Sequence, residues 1–82
     1  MKVQVRYFAS IREALGAAEF IDVPTAITVG GLRDLLIARS AAHAGALARG
    51  RALRCALNQT LCGETSLVGE GAEVAFSTGL FS

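Results

Sequence analysis

The stretch that most constrains this chain is its last seventeen residues, Ser66 to Ser82. Gly69-Glu70-Gly71 predicts a tight turn, because glycine reaches positive φ without a steric cost. Glu73 to Phe76 then alternates polar and apolar with the period of two of a strand. The fold must therefore accept a strand as its last element, since the six residues after Phe76, Ser77-Thr78-Gly79-Leu80-Phe81-Ser82, are too few for another. This reading divides the chain into a domain over 1–76 and a C-terminal tail over 77–82 projecting from the last strand. A protruding end on a rigid sheet is where a partner would meet so small a domain, although fraying is the ordinary fate of a terminus.

Eighty-two residues make one core, too small for a second domain or a deep enclosed substrate cavity. With 52% hydrophobic and 18% charged residues the chain is globular and carries more apolar surface than such a core can hide. An exposed apolar patch, and hence a protein partner, is the first functional expectation. Eight Lys+Arg against seven Asp+Glu leave a net charge of +1, which gives no long-range field for collecting nucleic acid or an anionic membrane. Arg49, Arg51 and Arg54 cluster locally, either as a solvated loop and strand edge or as a contact for an acidic partner. Nowhere is there an apolar run long enough to span a bilayer, and the first residues open directly into a strand pattern, so secretion and membrane insertion are disfavoured. Cys55 and Cys62, with a single histidine in the chain, are too few for a zinc site and read as small buried hydrophobes in a reducing cytosol.

From the N-terminus, Val3, Val5 and Tyr7 alternate with Lys2, Gln4 and Arg6, predicting a strand with one buried face and Phe8 on the polar side. Ser10 is expected to cap a short helix through Ile11, Ala14 and Leu15, with Glu13 completing a capping box and Gly16 ending it. Glu19 to Val23 predicts a second strand with Ile21 and Val23 inward, stopped by Pro24 and paired beside the first. Thr28 caps the main helix, whose Val29, Leu32 and Leu36 form a stripe that lies across the sheet, with Leu35 and Arg39 also at helical spacing. Gly30 and Gly31 weaken its first turn by about 1 kcal/mol each relative to alanine. The rest of any phosphate-binding fingerprint is missing, so close packing or simple tolerance accounts for them. Ala41 to Gly50 prolongs that helix or adds a short turn. His43 has no Cys, Asp or Glu at relay spacing and reads as an exposed or partly packed helical residue. Leu53, Cys55 and Leu57 alternate with Arg54, Ala56 and Asn58 in a third strand, Asn58-Gln59 turns the chain, Thr60 to Cys62 is a fourth strand, and Gly63 to Ser66 is a loop. One mixed sheet of four to five strands with the main helix across a single face, an α+β fold, satisfies this order. No nucleophile, base and orienter can be nominated, and the residues point to no catalytic site, metal or cofactor.

Val5-Arg6-Tyr7-Phe8-Ala9-Ser10-Ile11-Arg12-Glu13, Thr28-Val29 opening the helix at Leu32, Ala56-Leu57-Asn58-Gln59, and Leu67 with Gly69-Glu70-Gly71-Ala72-Glu73-Val74-Ala75-Phe76 together resemble the small subunit of molybdopterin synthase, in the MoaD/ThiS family of sulfur carriers. The resemblance implies a β-grasp, ubiquitin-like fold and a place in molybdenum cofactor biosynthesis as a non-catalytic, cytoplasmic subunit of a heterotetramer. It implies two protein partners: an adenylating activating enzyme, which leads to a C-terminal thiocarboxylate, and the large subunit, which receives the sulfur. It also implies that Phe8, Leu61 and Phe76 face the large subunit, with core packing as the alternative for each. A sulfur carrier for thiazole or other biosynthesis, and a β-grasp interaction module without carrier chemistry, are the other readings.

The reactive end departs from the pattern. The family follows the phenylalanine with Pro-Pro-Val and a short linker to Gly-Gly, a tail slim enough to thread an adenylating site, whereas this tail holds the single glycine Gly79 and ends at Ser82. Three accounts stand: lost sulfur transfer with the fold retained, processing after Gly79, and an altered reading frame. On the last, codons TTT-TCC-ACC-GGT encode Phe76-Ser77-Thr78-Gly79, and the same bases shifted by one read Phe-Pro-Pro-Val; sequencing the gene through its stop codon decides it.

Overall fold

Alternating apolar residues draw the first segment into the interior of a five-stranded sheet, beside its middle strand. The computed structural model describes residues 1–79, so Ser82 lies outside the described residues. Strand β1 (Lys2–Phe8) buries Val3, Val5 and Tyr7 and turns Lys2, Gln4, Arg6 and Phe8 to the other face. Helix α1 (Ala9–Leu15) follows at once, then β2 (Ala18–Asp22), which returns antiparallel to β1 with Ile21 facing Val3. Helices α2 (Val29–Ile37) and α3 (Ala41–Leu47) precede β3 (Arg54–Leu57), β4 (Thr60–Cys62) and β5 (Glu73–Ser77). The sheet order is β2-β1-β5-β3-β4, with β5 parallel to β1 and antiparallel to β3. This is a mixed α+β sheet of the β-grasp type, with its edges at β2 and β4.

The helices cover one face, where Val29, Leu32 and Leu36 of α2, Ile11 of α1 and Leu47 of α3 meet Val3, Val5, Tyr7, Val74 and Phe76 in one buried cluster. The Thr28 cap forms as expected, its Oγ1 accepting from Gly31 N at 3.0 Å. Gly30 is there for packing. Its N–H donates to Glu64 O at 2.8 Å, and a Cβ at this position would lie 3.2 Å from that same carbonyl oxygen. The chain pivots at Asn58 and Gln59, both with positive φ (50° and 68°), so that Leu57 faces Thr60 across a two-residue hairpin turn of the primed kind. The Gly69-to-Ala72 turn closes with Ala72 N donating to Gly69 O and Gly71 at φ 73°.

Two expectations are corrected. Ser10 does not cap α1: the helix begins at Ala9 directly after the strand, with Ala9 itself at φ 57°, and no side chain caps it. Ser10 is thereby carried inside the first turn, and its hydroxyl meets Thr78 Oγ1 at 2.9 Å and accepts from Arg51 Nη2 at 3.2 Å. Of the two readings of the alanine-rich stretch neither is met in full: it does not prolong α2, and in place of a short turn it forms the separate helix α3, because Ser40 accepts from His43 N and starts a new helix. Arg39 consequently lies beyond the end of α2, with its Nε 3.6 Å from Glu19 Oε1.

Arg33 joins these parts. Its guanidinium is buried, and it donates to Leu47 O and Ala48 O, to Arg51 O at 3.1 Å and to Glu64 Oε2 at 2.9 Å. Leu47 O and Arg51 O, at the end of α3 and in the loop after it, are thus satisfied by one side chain from α2, which also shares Ala48 O with the backbone N–H of Arg51. Arg49 and Arg51 are also turned inward on the chain. Arg49 pairs with Asp34 and Glu64 and donates to Gly30 O, while Arg51 reaches Ala46 O. For these two arginines the partners are within the domain.

Candidate docking site on the open face of the sheet

The face turned away from the helices is built by the polar phase of each strand. Arg6 and Phe8 of β1, Glu73 and Ala75 of β5, Ala56 of β3 and Leu61 of β4 surround a shallow hollow of about 390 Å³, with Gln59 at its rim. Its floor is low because Ala56 and Ala75 face each other across β3 and β5 and carry only methyl groups. Its walls are high because Leu61, opposite Ala56, is 65% exposed and Phe8 stands at the far side. The guanidinium of Arg6 lies over the Phe8 ring at 5.4 Å and 3.9 Å from Glu73 Oε2, so the hollow has an apolar lining with one ion pair on its rim. Such a surface suits an apolar side chain from another protein.

Of the three residues expected to face a partner, the structure brings Phe8 and Leu61 to this hollow and removes Phe76. Phe76 is 1% exposed in the core, in register with Tyr7 and Cys55 on the helix-covered face. The reason is the period of two: Ala75 and Ser77 take the open face, so the residue between them must point inward. The carboxyl end of β5 lies beside the hollow, since Ser77 is the register partner of Phe8, and the chain leaves the sheet through Thr78 and Gly79. Gly79 N donates to Ser77 Oγ at 3.1 Å. The strand runs through Ser77, one residue beyond the expected boundary.

Sequence reasoning missed Arg6, Gln59 and Glu73 as lining residues, although Arg6 and Glu73 share the alternation phase of Phe8 and Ala75. It also missed a half-buried polar chain on the other face, in which the Tyr7 hydroxyl and His43 Nε2 both meet Glu19 Oε2. Twenty-four residues separate His43 from Glu19, so local spacing carries no sign of the contact. Among the described residues no group of three or more His, Cys, Asp or Glu is placed to hold a metal ion, and no helix is long and apolar enough to cross a membrane.

The model of the ThiS family matches residues 5–77, nearly the whole of the described chain. The chain belongs to the ThiS family. Among solved structures, this ThiS-family chain superposes on SAMP1 from Haloferax volcanii with a TM-score of 0.73 at 22% identity, over 93% of this chain and 92% of that one. A putative molybdopterin converting factor, subunit 1, from Pyrococcus furiosus gives a TM-score of 0.69 at 24% identity, over 94% and 95%. The complex of subunits 1 and 2 of molybdopterin-converting factor from Helicobacter pylori supplies a chain with a TM-score of 0.68 at 22% identity, over 100% and 99%. No curated protein matches the chain. The likeness to the solved structures establishes the fold, and membership of the family rests on the match over 5–77.

Proposed function

We propose that this ThiS-family chain is the small, non-catalytic subunit of a molybdopterin synthase, a sulfur carrier that docks on a large subunit through the open face of its sheet. The observation that carries this reading is the apolar hollow between Phe8 and Leu61, which lies beside the carboxyl end of the central strand β5. A partner seated there holds the chain end at a fixed distance from its own active site. The structural likeness to subunit 1 of molybdopterin converting factor, and to a chain of its complex with subunit 2, supports the choice of partner.

The chemistry follows from a terminal carboxylate. An activating enzyme joins it to the α-phosphate of ATP with loss of pyrophosphate; a sulfide-level nucleophile then displaces AMP and leaves a thiocarboxylate, whose sulfur bonds to the acceptor held by the large subunit while water cleaves the acyl–sulfur bond and returns the carboxylate. The carrier supplies rigidity and reach, and its partners supply acid, base and metal. Residues 77–82 contain one glycine, Gly79, and no Gly-Gly pair, so the carboxylate that enters this cycle is the point to be tested. Incubation with the activating enzyme, ATP and a sulfur donor, followed by intact-mass measurement, is expected to show one oxygen replaced by sulfur. An unchanged mass together with tight binding to the large subunit would leave the docking role and remove the carrier one. The family match by itself also fits a carrier that delivers sulfur to thiazole synthesis, and the large partner that co-purifies with the chain separates the two.

A further inference from the structure

The two cysteines, read from sequence as separate small hydrophobes, face each other. The Asn58-Gln59 turn sets Leu57 opposite Thr60, and two steps further from the turn the register places Cys55 opposite Cys62. Their sulfurs are 3.8 Å apart, and the Cys55 thiol also donates to Cys62 O at 3.1 Å. Facing residues of an antiparallel pair have Cα atoms roughly 4.5–5.5 Å apart. That lies within the range of about 4.4–6.8 Å that a disulfide spans.

A second hollow, about 350 Å³ and distinct from the one between Phe8 and Leu61, opens on this pair. Both cysteines line it, with Leu53, Arg54, Leu61 and Glu64 around them. The carboxylate of Glu64 is engaged by Arg33 and Arg49, which leaves the Arg54 guanidinium as the charge offered to an entering molecule. We infer that Cys55 and Cys62 form a thiol–disulfide exchange site whose substrates are low-molecular-weight disulfides carrying carboxylate groups.

The division of labour follows from exposure. Cys62 is half-buried and meets the incoming molecule first; Cys55 is 6% exposed behind it. Burial, reinforced by the neighbouring Cys62, pushes the Cys55 thiol up to about 11, which keeps it protonated and unreactive towards outside molecules. The Cys62 thiol loses its proton to solvent, and its sulfur attacks one sulfur of the small disulfide. The S–S bond of that disulfide breaks, a mixed disulfide forms on Cys62, and one small thiolate leaves. The sulfur of Cys55, 3.8 Å away, then attacks Cys62 Sγ, the bond to the second small sulfur breaks, and that departing thiolate takes the Cys55 proton. The chain has lost two hydrogens and two electrons, and the small disulfide has gained them as two thiols. The product ties the three-residue edge strand β4 to β3 across a closed loop from Cys55 to Cys62.

The test uses the full, reduced chain and oxidised glutathione as the probe. The expected product is a monomer lighter by two hydrogens. Cleavage after Leu57 should give two peptides, holding Cys55 and Cys62, that stay joined until a dithiol reductant is added. In Cys55→Ser the glutathione adduct on Cys62 should persist, whereas on the natural chain it should decay. The wild-type peptide map decides the matter even where the variant does not fold. Recovery of a stable glutathione adduct on the natural chain, of a dimer linked through cysteine, or of unreacted thiols that react only in urea would overturn the inference. None of these results depends on sulfur carriage or on docking.

Discussion

The Tyr7 hydroxyl donates to Glu19 Oε2 at 2.7 Å, tying the interior strand β1 to the edge strand β2 through a carboxylate that His43 Nε2 also meets at 2.8 Å from α3. Burial acts to raise the Glu19 carboxyl, but the hydrogen bonds from His43 and Tyr7 and the nearby positive charges outweigh it and hold the carboxyl below its ordinary 4.5. A lowered carboxyl contributes stability that is complete above its unfolded value and is lost as pH falls through its folded one. Burial, with the Glu19 bond second, holds the Tyr7 phenol above its ordinary 10.0, so its contribution is complete below pH 10 and disappears as pH rises beyond it. Urea midpoints measured against pH should therefore decline below pH 4.5 and again above pH 10. Glu19→Gln should flatten the acid decline. Tyr7→Phe should flatten the alkaline one and cost about 1 kcal/mol at neutral pH for the lost hydrogen bond.

Arg33 is the side chain whose loss the fold should tolerate least. Arg33→Met keeps the aliphatic stem and removes the guanidinium that donates to Leu47 O, Ala48 O and Arg51 O, of which Ala48 O alone keeps another donor, the Arg51 N–H. Leaving Leu47 O and Arg51 O without that donor, together with the lost Glu64 contact, should cost roughly 3 kcal/mol in urea denaturation. Hydrogen exchange should show the loss first at the end of α3 and in the loop that follows it. Unchanged protection there would mean that the loop is held by other contacts.

Two helical glycines should respond in opposite directions to the same substitution. A Cβ on Gly30 would come within 3.1 Å of Glu64 Oε1 and 3.2 Å of the Glu64 carbonyl oxygen, and the carbonyl cannot swing away because it accepts from Gly30 N. Gly30→Ala should lose about 1–3 kcal/mol by overcrowding, more than the gain in helix propensity returns. Gly45 sits in α3 with open space around its Cβ position and ordinary helical φ, so Gly45→Ala should add about 1 kcal/mol. Thermal unfolding of the two variants side by side gives the comparison.

The docking proposal separates binding from folding at Leu61 and Phe76. Leu61 is 65% exposed, so Leu61→Ala should leave the urea midpoint nearly unchanged while weakening capture of the large subunit by about 1.5–3 kcal/mol in calorimetry. Phe8→Ala should do the same at the opposite wall of the hollow. Phe76→Ala opens the core and should cost about 3–5 kcal/mol of folding stability. Equal binding by Leu61→Ala and the natural chain would place the interface elsewhere on the domain.

Features written over a few neighbouring residues were legible in the sequence: the alternation of Val3, Val5 and Tyr7, the Thr28 cap, the Asn58-Gln59 turn and the glycine turn at Gly69 to Gly71. The phase of β1 put Phe8 on the open face, and the same alternation carried through β5 would have withdrawn Phe76 from it. The cysteine pair was also within reach, because a two-residue turn fixes which residues face each other on either side. What stayed hidden depends on contacts between distant segments. Nothing near Arg33 indicates that it will be buried beneath three carbonyls, and nothing near Ser10 indicates that Thr78 will arrive beside it from the far end of the chain. The capping expectation at Ser10 failed for a local reason as well, since Ala9 accepts a left-handed backbone that the propensity of alanine argues against.

Because β5 lies between β1 and β3, the fifth described strand in chain order is the one that joins the two halves of the sheet. Until residues 73–77 emerge, β1 with β2 and β3 with β4 are separate hairpin-sized pieces, and pairs of that size hold together poorly in water. The open face therefore comes into existence only after synthesis of the domain is all but finished. A chain cut before residue 73 lacks the strand that brings Phe8 and Leu61 into one surface.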